Sequence, residues 1–552
     1  MTMNAKIYSA LLAVCCISPA AFAQNLNPQV QVTNDYTSDM GYVTKPVTEF
    51  SIPDTVLHFD YNFDYSVFDN PYRGAYEFRP YAVRLTPAPS PSEARRLYLR
   101  AGAGYTLHPE LYVLYTPELE GRVNLTAYQD FSGYAGRYWK DGNDFMPVEG
   151  SLYPGYDLSE KAGIRGGWAH PAFDLHWDVG YRGLYNADDN RRSLYHSGIA
   201  TVRVNSHQPE AGSLNYDFTL NALFGVDQIT HFLDYATQRE GSVRINGTIG
   251  PFIGHAFSVV LDVRAEQYFY GGAVRRNPGL IGATPKVVLR IGKFNLDAGV
   301  SLDLASRLGI HPDVRLSADL FGGAANIFAG VKGGLSRNSY SGFKQQLHRF
   351  TPAYTDDFAA VTDEKINLYA GIQGNLFPHF SYRLQGGFAD YGNAPLVSVS
   401  TVGGGALNPF QLWPSIAYTN YRTPYADLKL AYAGARLTAD GDFHFRYTDL
   451  QASDQVLDLP IFSGDARVMY NWLQRIYAGV SCSFATPRVY GYETYAVAMP
   501  YWVDLGVMAE YKIDRRWSVW ARGGNLLNMA IQPIPLYVEQ GINFTAGFCL
   551  NL

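Results

Sequence analysis

Seven charged side chains stand at alternating positions in segments whose other alternate positions are apolar. In "FSVVLDVRAEQ", for example, Asp262, Arg264 and Glu266 alternate with apolar residues. Carboxylates and guanidinium groups on one face of a strand can set the charge selectivity of a pore, or they can pair across strands and hydrate a wall. Both interpretations stay open for the full set, which comprises Asp217, Asp262, Arg264, Glu266, Asp297, Asp303 and Arg383.

Two acidic stretches carry the residue types that bind calcium. "NADDN" at 186–190 and "YTDDFAAVTDEK" at 354–365 concentrate carboxylates, but neither has the ligand spacing of a calcium loop. A solvated acidic loop is therefore the favoured interpretation of both. The histidines are scattered and several adjoin proline, as in His170-Pro171, which is typical of turns rather than of metal ligands.

Signatures of common enzymes are absent from the sequence. It contains no G-x-S-x-G elbow, no phosphate-binding P-loop, no H-E-x-x-H motif and no spaced cysteine pairs. We therefore predict a protein that is not an enzyme and that binds no cofactor or metal. Its function must come from the elements that position the charged residues.

Those elements are segments of strict apolar and polar alternation. "LNYDFTLNALF" at 214–224 places Leu, Tyr and Phe on one face and Asn, Asp and Thr on the other. Alternation of this kind predicts a β-strand with two unlike sides, because successive side chains point to opposite faces of a sheet. The apolar side would pack on a second sheet in a soluble sandwich, and it would meet lipid in a transmembrane barrel.

Composition favours the barrel. Apolar residues make up 47% of the 552 residues, charged residues only 17%, and there are 42 tyrosines. No apolar run of about 18 residues occurs, which excludes membrane-spanning helices. Abundant tyrosine without apolar runs is typical of the aromatic girdles of transmembrane barrels. The net charge of −6 gives no reason to expect nucleic acid as a partner.

Connections between the strands alternate in length from about residue 96 onward. Short ones at 170–172, 292–293, 376–379 and 513–516 alternate with long polar ones at 138–159, 339–363 and 392–410. Outer-membrane barrels have short periplasmic turns and long extracellular loops. We predict an all-β fold, an antiparallel transmembrane barrel over 96–552 with about 22 strands, within a range of 16 to 24. The seven charged residues would then face its lumen.

The first 95 residues divide into two parts. Residues 1–23 read as a cleaved signal peptide, with Lys6, an apolar centre and a small-residue site ending at Ala23. Residues 24–95 are rich in Pro, Asp, Asn and aromatics, and we predict a segment that lies at the periplasmic mouth or inside the lumen. After cleavage Cys482 and Cys549 remain, and they fall on opposite strand faces, which argues against a disulfide.

The last two segments resemble a known family. "EYKIDRRWSVWARGGNLLN" followed by "GINFTAGFCLNL" is similar to the closing strands of TonB-dependent outer-membrane receptors. We expect the apolar residues at 542, 544, 546, 548, 550 and 552 to face lipid. The positions that match the family pattern are Asp514, Trp517, Asn525, Leu526, Leu527, Asn528, Gly541, Phe544 and Gly547.

The resemblance implies a barrel in the outer membrane of a Gram-negative type cell, in contact with outer-membrane lipids, that transports a solute or nutrient. The family carries a plug domain longer than residues 24–95, so these residues would be a reduced plug, and coupling to TonB stays open. The alternative function is a structural barrel that serves as scaffold for a surface lipoprotein, a periplasmic partner or secretion machinery.

A closed barrel predicts heat-modifiable migration in gels. The mature protein should run faster unboiled than boiled, because a closed barrel has no unpaired strand edge and resists detergent. Electrophoresis of the same sample with and without boiling measures this. Identical mobility of both samples would argue for a soluble sandwich.

Overall fold

The structure is a computed structural model of the chain. It describes residues 96–552 apart from 106, 120, 142–146, 188–190, 207–213, 232–233, 252–255, 321–323, 347–357, 378, 403–410, 451–458, 493–494 and 533–537. The predicted signal peptide at 1–23 and the segment at 24–95 lie outside the described residues. None of the helices in the described part of the chain is long and apolar enough to cross a membrane.

Twenty-two antiparallel strands form one closed barrel, which confirms the predicted fold class and strand number. Each barrel strand pairs with its neighbours in chain order. The barrel strands are β1 (Leu97–Tyr105), β2 (Glu110–Tyr115), β3 (Val123–Asp141), β4 (Pro147–Ala169), β5 (Phe173–Ala187), β6 (Arg191–Ser206), β7 (Leu214–His231), β8 (Asp234–Pro251), β9 (Phe257–Gly272), β10 (Gly279–Ile291), β11 (Phe294–Leu304), β12 (Leu308–Leu320), β13 (Ala325–Arg337), β14 (Val361–Leu376), β15 (Phe380–Val402), β16 (Gln411–Ala433), β17 (Leu437–Arg446), β19 (Phe462–Trp472), β20 (Ile476–Ala485), β23 (Trp502–Lys512), β24 (Trp517–Gly524) and β25 (Asn543–Asn551).

In the connections that the structure describes there are three short strands and one helix. Strand β18 (Asp449–Leu450) pairs with β16, and β21 (Arg488–Tyr492) forms a separate hairpin with β22 (Tyr495–Met499). Helix α1 (Tyr340–Gln346) follows β13.

The first and last strands close the barrel. β1 pairs with β25 in a continuous register from Tyr98 opposite Asn551 to Tyr105 opposite Phe544. The backbone N–H groups of Arg96 and Leu97 both donate to the carbonyl of Leu552. The sheet therefore closes on itself, which is what a membrane requires, because lipid offers no partner for an open strand edge.

Strand β7 shows how alternation separates the two faces. Leu214 and Phe224 are 60% and 63% exposed on the outer face, whereas Asn215 is only 2% exposed on the lumenal face. In a soluble protein such exposed apolar side chains would form an unusual surface, but a band of them around a barrel is the surface that lipid covers. On β25 the same alternation exposes Phe544 and Phe548, while Leu550 is half-buried.

The two ends of the barrel differ. The connections at 170–172, 292–293, 377–379 and 513–516 lie at one end, which we call the short-turn end. The opposite, long-loop end carries the connection with α1. Two stretches predicted as long connections, 138–159 and 392–410, are largely strand, since β3 and β4 contain 19 and 23 residues and β15 and β16 contain 23 each.

The family motif forms the turns of the closing strands. The carboxylate of Asp514 accepts the backbone N–H of Trp517 at 2.7 Å in the turn between β23 and β24. Asn525 and Asn528 have φ values of 43° and 50°, a region that asparagine tolerates better than most residues. The side chain of Asn525 bonds both the N–H and the carbonyl of Met529, so the motif stabilises the loop that leads to β25.

The two cysteines do not form a disulfide. Cys482 is half-buried on β20, and Cys549 is buried on β25, where Tyr98 donates to its sulfur at 3.7 Å. This agrees with the prediction that the two thiols lie on opposite faces of their strands.

Adjacent residues on β8 test the assignment of faces. Ile245 is exposed on the outer face, and Asn246 lies on the lumenal face of the same strand. We expect Ile245→Arg to impair assembly, since arginine on the lipid face costs about 2–4 kcal/mol near the bilayer midplane. Asn246→Arg should accumulate like the native protein. Quantifying heat-modifiable protein in outer-membrane fractions measures both, and equal accumulation of the two variants would contradict the assignment.

Candidate functional site in the barrel lumen

The seven predicted charged residues lie on four strands, β7, β9, β11 and β15, on the faces opposite the exposed apolar side chains. On β7, Asp217 accepts a hydrogen bond from Arg203 Nε of β6 at 2.9 Å. On β9, Asp262 accepts from the hydroxyl of Thr248 at 2.7 Å and lies 2.9 Å from the ammonium of Lys286. Both carboxylates are thus paired with cations of neighbouring strands.

The remaining members of the set also have partners in the wall. Arg264 pairs with Asp303 at 2.9 Å, and Asp303 additionally accepts the backbone N–H of Leu335 at 3.0 Å. Glu266 accepts a hydrogen bond from the hydroxyl of Tyr268 at 3.1 Å.

Arg383 on β15 donates to Gln385 at 2.6 Å and places its guanidinium 5.4 Å from the ring centroid of Phe328. Asp297 lies in the register position opposite Arg315 on β12. The contacts across strands describe a wall of mixed sign, in which carboxylates and cations lie side by side. A wall of this kind holds water without attracting one sign of ion strongly.

The structure describes only part of the two predicted acidic loops. Asp188, Asp189, Asp356 and Asp357 lie outside the described residues. Asp363 is buried and accepts hydrogen bonds from Arg307 and, at 2.9 Å, from His311. Within the described ranges, no three side chains of His, Cys, Asp or Glu come together in a group that could hold a metal ion.

Helix α1 is a feature of the lumen that the sequence did not predict. It follows β13 but contacts strands β6, β7 and β8. The hydroxyl of Tyr340 donates to Asp227 on β7, and the backbone N–H of Ser341 donates to Glu240 on β8 at 2.8 Å. Asp227 and Glu240 lie on the lumenal faces of their strands. The connection after β13 therefore extends along the lumenal side of the barrel, past β12 to β9, and contacts β6, β7 and β8 at the long-loop end.

A buried ion pair fixes the helix there. The ammonium of Lys344 lies 3.1 Å from the carboxylate of Asp227 and donates to the hydroxyl of Ser193 at 2.6 Å, and the side chains of Lys344 and Asp227 are both fully buried. Burial lowers the pKa of Lys344, and the Asp227 carboxylate opposes that shift. Burial and the same carboxylate raise the pKa of Tyr340 well above its ordinary value, so the phenol stays protonated and donates.

Aromatic rings surround the ion pair. Phe358, which is fully buried, packs edge-on against Tyr340 at a centroid distance of 5.2 Å and against Tyr270 at 4.9 Å. The hydroxyl of Tyr270 donates to Glu240 at 3.2 Å. We call this group the lumenal cluster; its buried members are Leu184, Tyr195, Tyr268, Tyr270, Tyr340, Phe343, Phe358, Ala359 and Ile416.

Comparison with known proteins defines the fold. No protein-family model matches the chain, and no curated protein matches it. Solved structures do match. The copper transporter OprC aligns over 83% of this chain and 80% of its own, with a TM-score of 0.60 and 11% identity. The FrpB iron transporter from Neisseria meningitidis aligns over 84% and 81%, with a TM-score of 0.62 and 10% identity.

A third match is a double mutant of the Serratia marcescens hemophore receptor HasR in complex with its hemophore HasA and heme. It aligns over 84% of this chain and 81% of its own, with a TM-score of 0.60 and 12% identity. The chain has the barrel fold of TonB-dependent receptors. The resemblance expected from the closing strands is thus confirmed for the fold. These structural neighbours are transporters and receptors rather than enzymes.

Removing the charge of Lys344 should release helix α1. Lys344→Met leaves Asp227 buried without its cation, and breaking a buried pair in this way costs about 3–5 kcal/mol. The reporter protein carries Ser341→Cys together with Cys482→Ser and Cys549→Ser. We expect a large maleimide to label residue 341 at least about 100-fold faster when Lys344→Met is added, since about 1.4 kcal/mol corresponds to tenfold. The labelling rate in detergent measures this.

Lys293→Met is the matched control, because Lys293 is exposed in the turn between β10 and β11. It should leave the labelling rate unchanged. Equal rates for Lys344→Met and Lys293→Met would show that the ion pair does not hold the helix.

Proposed function

We propose that this protein is an outer-membrane barrel that passes a solute through its lumen, in the manner of a receptor-like transporter. The observation that carries the proposal is the closed barrel of 22 strands with an apolar outer face and a charged lumenal wall. A barrel of this size is wider than its own wall side chains can fill, since even 16- to 18-stranded barrels enclose aqueous channels.

The orientation of the barrel in the membrane follows from the unequal lengths of the connections at its two ends. The short-turn end lies in the periplasm and the long-loop end lies outside the cell, as in other barrels of this class. The signal peptide at 1–23 exports the chain, and lipids of the outer membrane cover the exposed apolar band. The fold likeness to transporters and receptors supports this arrangement.

The lumenal charges act in the proposal as a hydrated path. Asp217, Asp262 and Asp303 each lie beside a cation of another strand, so the wall is wet and weakly selective. Discrimination between solutes must then occur where the path is narrow. Helix α1 and the lumenal cluster narrow the path at the outer end, while residues 24–95 serve at the other end as a reduced plug.

Deleting residues 24–92 while keeping the signal peptide tests the proposal. We expect larger single-channel conductance in planar bilayers and greater sensitivity of cells to large antibiotics, because the deletion removes the obstruction of a wide lumen. Combining the deletion with Lys344→Met should raise the conductance further. Heat-modifiable migration of each variant serves as the control for assembly.

Two results would contradict the proposal in different parts. In the first, the deletion alone leaves the conductance unchanged and the deletion combined with Lys344→Met raises it. This result would show that α1 rather than residues 24–95 closes the lumen. Absence of conductance in every assembled variant would overturn transport itself. A surface lipoprotein that then co-purifies after mild detergent extraction would establish the scaffold function instead.

A further inference from the structure

A pocket of about 610 Å³ opens at the long-loop end of the barrel. It lies where the turns between β9 and β10 and between β11 and β12 end, beside strands β13 to β16, which continue past them. Its polar lining comprises one hydroxyl, four cations and two amides from several connections and strands: Ser306, Arg276, Arg307, Arg337, Lys365, Asn393 and Asn420. We propose that this rim pocket binds an anion that carries phosphate groups.

The charge of the lining points to an anion. Of the described residues that line the pocket, four are cations and none is a carboxylate. Each cation comes from a different connection or strand end, so their convergence is a product of the fold. Cations gathered around one cavity create a positive potential in it and concentrate anions there.

Two carboxylates outside the pocket lining bond to cations of that lining. Asp363 accepts a hydrogen bond from Arg307, and Asp390 lies 3.2 Å from Lys365 and 2.9 Å from Arg422. Each carboxylate therefore orients two basic groups, since Asp363 also accepts from His311.

Donors remain directed at the pocket after these contacts. Arg307 is 60% exposed and Lys365 is 45% exposed. A guanidinium has five N–H groups and an ammonium has three, and the contact to one carboxylate occupies only part of them. The side chain of Arg337 is held in the pocket wall by two backbone carbonyls, those of Ala359 at 2.8 Å and Gly279 at 3.0 Å.

Local backbone geometry keeps the pocket open. The pairing of β15 with β16 shifts between Tyr391 and Ala394, and Asn393 adopts a φ of 52° in this irregular stretch. A Cβ atom on Gly392 would lie 3.0 Å from Cε of Lys365. Glycine at 392 therefore gives the lysine side chain room to extend along the pocket wall.

Phosphate groups fit this arrangement best. Guanidinium groups bind phosphate and carboxylate oxygens through paired hydrogen bonds, and the pocket volume is in the range of small-ligand sites. Several cations spaced around one cavity favour a ligand with more than one anionic group. Such a ligand is either a soluble phosphate ester or the phosphorylated headgroup of a lipid in the outer leaflet.

The position of the pocket is compatible with both sources. Asp390 lies two positions after Phe388 on β15 and therefore on the same face, and the side chain of Phe388 is exposed on the apolar outer side. The group of Lys365, Asp390 and Arg422 thus lies on the outward side of the wall. A lipid headgroup reaches this level from the side, and a solute reaches it from above. The assignment of the pocket to the cell exterior rests on the orientation in the proposed function.

Binding measurements on the full chain test the inference. Titration calorimetry of the detergent-solubilised protein with pyrophosphate should show binding that weakens as salt is added, because salt screens exposed charges. In the double variant Arg307→Gln and Lys365→Gln we expect affinity to fall about tenfold or more, since each lost charge-assisted hydrogen bond removes a substantial part of the binding free energy. Arg436→Gln, in the exposed turn between β16 and β17, is the matched control.

A second arm identifies a lipid source. Mass spectrometry of lipids that co-purify with the native protein should detect a phosphorylated lipid that the double variant loses and that Arg436→Gln keeps. Heat-modifiable migration of all three proteins verifies folding. Pyrophosphate binding alone assigns the pocket to a soluble phosphate ester, and retained lipid alone assigns it to a headgroup.

If neither pyrophosphate nor a phosphorylated lipid binds, or if the double variant binds both as the native protein does, the inference is wrong. These outcomes are independent of transport. Conductance without phosphate binding would reject the pocket alone, whereas phosphate binding by a barrel that never conducts would reject transport and leave the pocket in place.

Discussion

The hydrogen bonds between β1 and β25 are the constraint on which the rest of this structure depends. Every backbone N–H and C=O group within a bilayer must find a partner in the protein, so a sheet in the membrane has to close. Here closure joins Leu97 to Leu552, the two ends of the described barrel, in one continuous register. With 22 strands the closed sheet is a wide cylinder, and the same chain has to fill or hydrate the space inside it.

The chain lines part of that space with paired charges and occupies part of it with a connection. Along the wall, opposite charges of nearby strands pair, as Arg264 on β9 does with Asp303 on β11, which keeps the lumen polar without leaving isolated buried charges. At the long-loop end, part of a connection lies inside the barrel. The ion pair of Lys344 and Asp227, enclosed by Tyr340 and Phe358, anchors that connection on β7, six strands away around the wall. The lumen is thus narrowed by a specific contact rather than by general crowding.

Sequence patterns predict what local periodicity encodes. The alternation in β7 identifies both the strand and its two faces, and the motif at Asn525 and Asn528 identifies the closing turn, because both signals lie within a few neighbouring residues. Contacts between distant segments carry no such signal. Lys344 and Asp227 appear in sequence as unrelated polar residues, and the cations of the rim pocket become neighbours only through the pairing order of β9 to β16.

The docking of helix α1 also bears on how the barrel folds. The hydroxyl of Tyr340 and its acceptor on Asp227 are 113 positions apart in the chain, and Lys344 and Ser193 are 151 apart. Contacts of such long range form slowly, because the entropy of closing a large loop is lost before the contact is gained. The helix can dock only after β6 to β8 and β13 have taken their places around the circumference. Its ion pair is therefore a late event that forms only on a correctly registered cylinder, and it adds kinetic stability to that state alone.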